Sequence, residues 1–282
     1  MIVQLQTLKE FLPEHQGKTY SRVGHCIYCG STKDLGDEHI IPFGFGGRMV
    51  LPESSCKACS RITSAFERTC LRTMFGPLRM LYGLPSRRKK DRPMTLPLKV
   101  KYRPEDDWTT VPVNREDFPF LVLFPYLPMP DLLSGRKTPN NRGAVTNRLW
   151  IRGASASRGF FEHMDDLIAE LGVCSVMPEA DAHVEDFCLM LAKIGHSYAA
   201  AELGNEEFEP FLLDLILQKN LTNRADFIGG LDHDEAPSQS LHELALHNQG
   251  RGDPDLVAVR MRFLSKLGTP TYYVVVGRHK DL

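Results

Sequence analysis

Two CxxC pairs, Cys26/Cys29 and Cys56/Cys59, constrain this chain more than anything else in it. Thiolates at positions i and i+3 of a tight turn can both reach one ion, and two such pairs complete a tetrahedral zinc shell. Here 26 residues separate the pairs. That is longer than a simple zinc ribbon and enough for two strands and a loop. A module of this size has little core, so metal binding would supply much of its folding energy. The loop between the pairs holds Asp37-Glu38-His39-Ile40-Ile41-Pro42, an acid–histidine pair inside the clamp.

The rest of the composition narrows the class. The chain has 282 residues, 42% apolar and 24% charged, which suits a globular protein of two domains. Its net charge of −1 does not advertise a nucleic-acid partner, but the charge is unevenly spread. Residues 54–92 carry a local net of +8, leaving −9 for the remainder, which points to a local surface for an anionic ligand. The start, Met1-Ile2-Val3-Gln4-Leu5-Gln6, lacks the pattern of an export signal. The apolar stretch 118–133 is broken by four prolines and cannot be a membrane-spanning helix. A cytoplasmic, reducing compartment is therefore expected, which favours metal over disulfides for the paired cysteines. Cys70, Cys174 and Cys188 read as buried thiols.

Three segments are expected: a cysteine-bearing module over 1–92, an extended, β-rich connection over 93–155, and an α+β domain over 156–282. Strands are expected at 96–102, 108–113, 118–124 and 148–151, between Pro, Asn and Gly punctuators. Helices are expected at 160–171, 180–203 and 207–219. Strands at 256–263 and 272–276 should pair antiparallel. In the module, a strand running from Leu35 to Pro42, a glycine loop and a return strand over 48–51 precede a helix. Ser54 or Ser55 would cap that helix, which runs to about Phe75.

Strand, loop, strand and helix, with Cys26-x-x-Cys29, Glu38-His39-Ile40-Ile41-Pro42 and Cys56-x-x-Cys59, resemble the zinc-stapled branch of the HNH endonucleases, over residues 22 to about 70. The run 187–204, with Leu191-Ala192-Lys193-Ile194, is similar to the C-terminal parts of larger bacterial HNH proteins. The fold implied is an α+β chain with an N-terminal ββα-metal module. The activity implied is metal-dependent hydrolysis of phosphodiester bonds in DNA. His39 would be the general base and Glu38 a catalytic residue that binds a divalent ion such as Mg²⁺, beside structural Zn²⁺ on Cys26, Cys29, Cys56 and Cys59. Roles in bacterial restriction, mobile elements or anti-phage defence go with that family.

Two positions depart from its pattern. Ser60 stands directly after the last cysteine, where many relatives carry Asn or His as a second ion ligand. The Asn that orients the histidine has no counterpart. Glu67 is the replacement candidate, within about 20° of Ser60 around the helix but about 10 Å further along it, so one ion cannot readily be held by both. Arg61, Arg68 and Arg72 fall within about 40° of one another on the proposed helix, opposite Cys59, Phe66 and Cys70. With Arg87 and Arg88 they form a cationic stripe for phosphates. The alternative readings are a non-catalytic zinc-dependent nucleic-acid-binding protein, or an RNase or nuclease toxin using the same site. Lys193 and His196, three apart on an apolar helix, read as a lysine reaching solvent and a locally satisfied histidine. Asp232-His233-Asp234-Glu235 reads as an exposed polar loop. The C-terminal domain could recognise substrate, bind a protein partner or mediate homo-oligomerisation.

Overall fold

The computed structural model describes residues 17–86, 92–136, 148–154, 159–247 and 253–280. The chain is a mixed α+β protein with mostly antiparallel sheets. The elements run β1 (Lys18–Thr19), β2 (Leu35–His39), β3 (Met49–Cys56), α1 (Lys57–Thr69), α2 (Gly76–Leu81), β4 (Thr95–Lys101), β5 (Thr109–Asn114), β6 (Phe120–Pro125), β7 (Leu149–Ala154), α3 (Phe160–Leu171), β8 (Ser175–Met177), α4 (Val184–Leu203), β9 (Phe208–Pro210), β10 (Ile228–Gly230), β11 (His242–His247), β12 (Leu256–Phe263) and β13 (Thr271–His279).

Four sheets result. β1 runs parallel to β3, which pairs antiparallel with β2. The largest sheet has the order β10-β13-β12-β11, with β9 also on β13. β5-β4-β8 and β6-β7 complete the set.

α4 is the centre of the molecule. Its sequence is apolar on every side, and such a helix is stable only when buried all round. Phe187 to Ser197 are all buried. One face lies on the large sheet, where Gly195 allows the close approach: a Cβ there would lie 3.1 Å from Val274 and Val276. Another face lies on α1. Aromatic contacts then tie the cysteine-bearing module to the rest of the chain. Phe45 packs on Phe75, His242 and Phe263, and Phe75 on Phe124 and Phe187.

The local differences from expectation have physical causes. α1 is capped by Cys56 rather than by a serine. The Cys56 side chain accepts the Cys59 N–H, so the turn of the second cysteine pair is also the helix start. Ser54 and Ser55 are instead the buried end of β3. Past Thr69 the helix widens into a π-helical turn over Cys70–Met74. Residues 207–219 are not one helix. Phe208–Pro210 join β13 as an edge strand, the Phe211 N–H continues onto Val276 O, and only Leu213–Ile216 coil. Pro210 lacks an N–H and tolerates the edge. α4 starts at Val184, four residues later than expected. Cys70 and Cys188 are buried, but Cys174 is exposed, lying between the end of α3 and β8. Among the described residues, no helix is long and apolar enough to cross a membrane.

Candidate metal centre and adjoining cleft

The four paired cysteines meet. Their sulfurs all lie within 4.8 Å of one another, and Cys29 Sγ is 3.7 Å from Cys56 Sγ. A tetrahedron with Zn–S bonds of about 2.3 Å has edges of about 3.8 Å, so the spacing suits zinc. The first knuckle is a tight turn in which Gly30, at φ +73°, donates its N–H to Cys26 O. Cys26, Cys56 and Cys59 are buried and Cys29 is exposed. Burial raises the Cys26 thiol. Burial opposes ionisation of Cys56 too, but the donors from Cys59 and the neighbouring thiols outweigh it and lower Cys56 to about 7. A Cys₄ set, one member already inclined to ionise, is the donor chemistry a structural zinc needs. Among the described residues it is the one cluster of potential metal ligands that comes together. Asp232 to Glu235 form no such cluster: Asp234 accepts from Tyr126, and Glu235 pairs with Arg260.

A cleft of about 430 Å³ opens beside this centre. Asp37, Glu38, His39 and Phe43 line one wall, and Ser60, Glu67 and Arg68 of α1 line the other with Arg72 of the turn that follows it. In a regular strand Glu38 and His39 would face opposite ways. The β2–β3 ladder is irregular there: Gly36 pairs with Ser55, but Glu38 pairs with Leu51. Asp37 alone stands against three residues of β3. Pro52 has no N–H to give, Glu53 takes a left-handed φ of +46°, and Asp37 Oδ1 accepts the Glu53 N–H. The shift lies before Glu38: Glu38 and His39 are themselves in register with Leu51 and Val50, and both line the cleft where the strand ends. The His39 ring lies 5.5 Å from Phe43, edge to face.

Lys193 of α4 lies behind this wall, with 1% of its side chain exposed. It does not reach solvent. Its ammonium is 2.7 Å from Glu38 Oε1 and 2.9 Å from Glu67 Oε1. It also donates to His39 O at 2.5 Å and Ile40 O at 3.2 Å. Burial alone would lower its pKa, but the charges of Glu38 and Glu67 outweigh burial and raise it. Burial raises Glu67 above the ordinary carboxylate range; Lys193 pulls it down and Glu38 pushes it up. One turn along α4, His196 donates from Nε2 to Ile27 O at 2.9 Å, between the first two cysteines. Burial lowers His196 to about 4, so it is neutral near pH 7.

Two of the three candidate ion ligands, Glu38 and Glu67, thus converge on one point. Ser60 lines the cleft, and its carbonyl accepts from Ser64 Oγ. Glu38 and Glu67 are two acids facing one ammonium, and both keep some exposure. Such oxygen donors are of the type that holds a divalent cation.

Arg61, Arg68 and Arg72 are exposed, while Cys59, Phe66 and Cys70 are buried on the other side of the helix. Arg68 and Arg72 reach the cleft; Arg61 is not among its lining residues. Arg79 is committed to structure, donating to Gly44 O at 2.5 Å and Leu71 O at 2.8 Å. Arg87 and Arg88 lie outside the described residues. Lys193 is the site residue that sequence reasoning underrates. Its one local signal is a lysine in the middle of a helix with no polar face to carry it to water. No family model, curated protein or solved structure matches the chain.

Proposed function

We propose that this chain is a metal-dependent HNH-type endonuclease that hydrolyses phosphodiester bonds in DNA, with His39 as general base. One observation carries the reading. His39 and Glu38 end a strand whose return partner runs into a helix pinned at the four-cysteine cluster, and both line a cleft with the exposed Arg68 and Arg72.

The chemistry rests on the residues. Attack on phosphorus requires a water to lose a proton, and imidazole titrates close enough to neutrality to take it. His39 sits on the cleft wall, where its ring packs against Phe43. Arg68 and Arg72 would hold the phosphate backbone without reading sequence. Glu38 and Glu67 would hold a divalent ion, which when bound supplies charge stabilisation at the phosphoryl and leaving oxygens. The Cys₄ centre would fix the helix and strand ends against each other, away from the reaction.

A second reading is a zinc-dependent nucleic-acid-binding protein without catalysis. It is favoured by Ser60 and by the engagement of both carboxylates with Lys193. An RNase using the same site is distinguished by substrate. Plasmid nicking in Mg²⁺ or Mn²⁺, with wild type against His39→Ala, separates these readings. Binding to DNA and RNA without cleavage of either, in any metal, rules out the enzyme. Cleavage unaffected by His39→Ala rules out the base.

A further inference from the structure

The cleft is built from two distant parts of the chain. Its carboxylates come from β2 and α1, and the cation between them comes from α4. We propose that Lys193 is the positioning residue of this cleft: it fixes Glu38, Glu67 and the His39–Ile40 backbone, and holds the site's charge low enough that a divalent ion binds weakly and in one arrangement. The inference rests on the nuclease reading for its consequence in turnover, but its metal-binding consequence stands apart from that reading.

Four contacts from a single Nζ define the arrangement: Glu38 Oε1, Glu67 Oε1, His39 O and Ile40 O. A buried ammonium needs its donors occupied, and here carboxylates and carbonyls supply the partners. The carbonyl contacts bear on the peptide that carries the His39 ring, so Lys193 sets where that ring stands. The carboxylate contacts bear on the ion site. Two carboxylates without the ammonium would attract a cation strongly; with it, half of their charge is already matched. Lys193 itself touches no substrate, since it is buried behind the wall. His196, on the same face of α4, holds the zinc knuckle at Ile27. One helix face thus braces both the metal centre and the strand end. Residues near 193 are part of the site rather than of an appended module.

The test uses the full-length protein at pH 8, with Mn²⁺ binding followed by electron paramagnetic resonance and cleavage by plasmid nicking. Lys193→Met should tighten Mn²⁺ binding by about tenfold or more, because the like charge is gone. The same change should lower kcat by about 100-fold, with KM for DNA altered by no more than about 3-fold. Lys193→Met/Glu67→Gln restores the net charge and should return Mn²⁺ affinity towards wild type. Lys193→Arg should recover part of kcat. A role in packing alone predicts weaker Mn²⁺ binding together with lost activity and lost zinc, and that pattern would overturn the proposal. So would Mn²⁺ affinity unchanged in Lys193→Met when the protein remains folded. Should the wild type cleave nothing, the nuclease reading fails, and the Mn²⁺ titration still decides the role of Lys193. If Lys193→Met does not fold, the comparison of Glu67→Gln with wild type decides: loss of one carboxylate beside a retained ammonium should weaken Mn²⁺ binding, and an unchanged affinity overturns the proposal.

Discussion

Lys193 Nζ lies 2.5 Å from the main-chain oxygen of His39, across 154 residues of sequence. The wall that carries the proposed base is therefore held by a helix from the far half of the chain. The same helix face holds the first metal knuckle through His196 and Ile27. Metal centre, strand end and central helix form one mechanical unit, and several outcomes are expected from it.

The metal centre should be structural. The protein as purified is expected to carry about one zinc per chain by elemental analysis, and Cys56→Ser should lose both zinc and cooperative folding. Cys56 is both a member of the cluster and the cap of α1, so its loss removes a metal bond and an N-terminal helix partner together. A folded, zinc-free Cys56→Ser protein would count against the centre.

Stability should depend on pH through His196. Its folded pKa of about 4 lies below the ordinary 6.5, because it is fully buried. Protonation therefore favours the unfolded chain. The contribution is complete above pH 6.5 and is lost as pH falls towards 4. Across that window it amounts to about 3 kcal/mol. Urea unfolding at a series of pH values should show this loss in wild type, and a shallower one in His196→Gln, which keeps a donor near Ile27 but does not titrate. Equal slopes would contradict the assignment.

The loop after His39 should tolerate no side chain at Gly47. A Cβ there would stand 2.0 Å from Ile41 O, inside the backbone that follows His39 and Ile40. Gly47→Ala should destabilise by about 2–4 kcal/mol, seen as a lowered thermal midpoint. An unchanged midpoint would mean that the loop is free to open.

Much of this architecture is legible in the sequence. The helix at 160–171 and the strand at 256–263 appear with their expected bounds, because glycine stops the first and alternation marks the second. The two CxxC pairs converge as their spacing implies. Other features depend on tertiary partners and leave no local trace. Residues 207–219 have helical spacing, yet β13 offers an edge that captures Phe208–Pro210. Lys193 and His196 stand out as polar residues on an apolar helix, but nothing near them in sequence names Glu38, Glu67 or Ile27 as partners. The irregular pairing around Asp37 likewise requires knowing that Pro52 and Glu53 lie opposite.

The cationic wall should act through phosphates. Arg68 and Arg72 are exposed at the cleft, so Arg68→Ala/Arg72→Ala should weaken DNA binding for all sequences alike. The slope of log K against log salt should fall in magnitude by about 2, near one unit per lost contact. A slope unchanged by the double substitution would place the nucleic acid elsewhere.

The mechanism stands or falls on His39 taking the proton of the attacking water, and single-turnover plasmid cleavage in Mg²⁺ or Mn²⁺ is its sharpest test. Wild type and His39→Ala are compared at equal zinc content and equal thermal midpoint. Nicking by wild type is expected, with a rate lower by about 100-fold or more in His39→Ala and DNA affinity preserved. Equal rates in the two proteins, or a wild type that binds DNA and cuts none in either metal, would refute it.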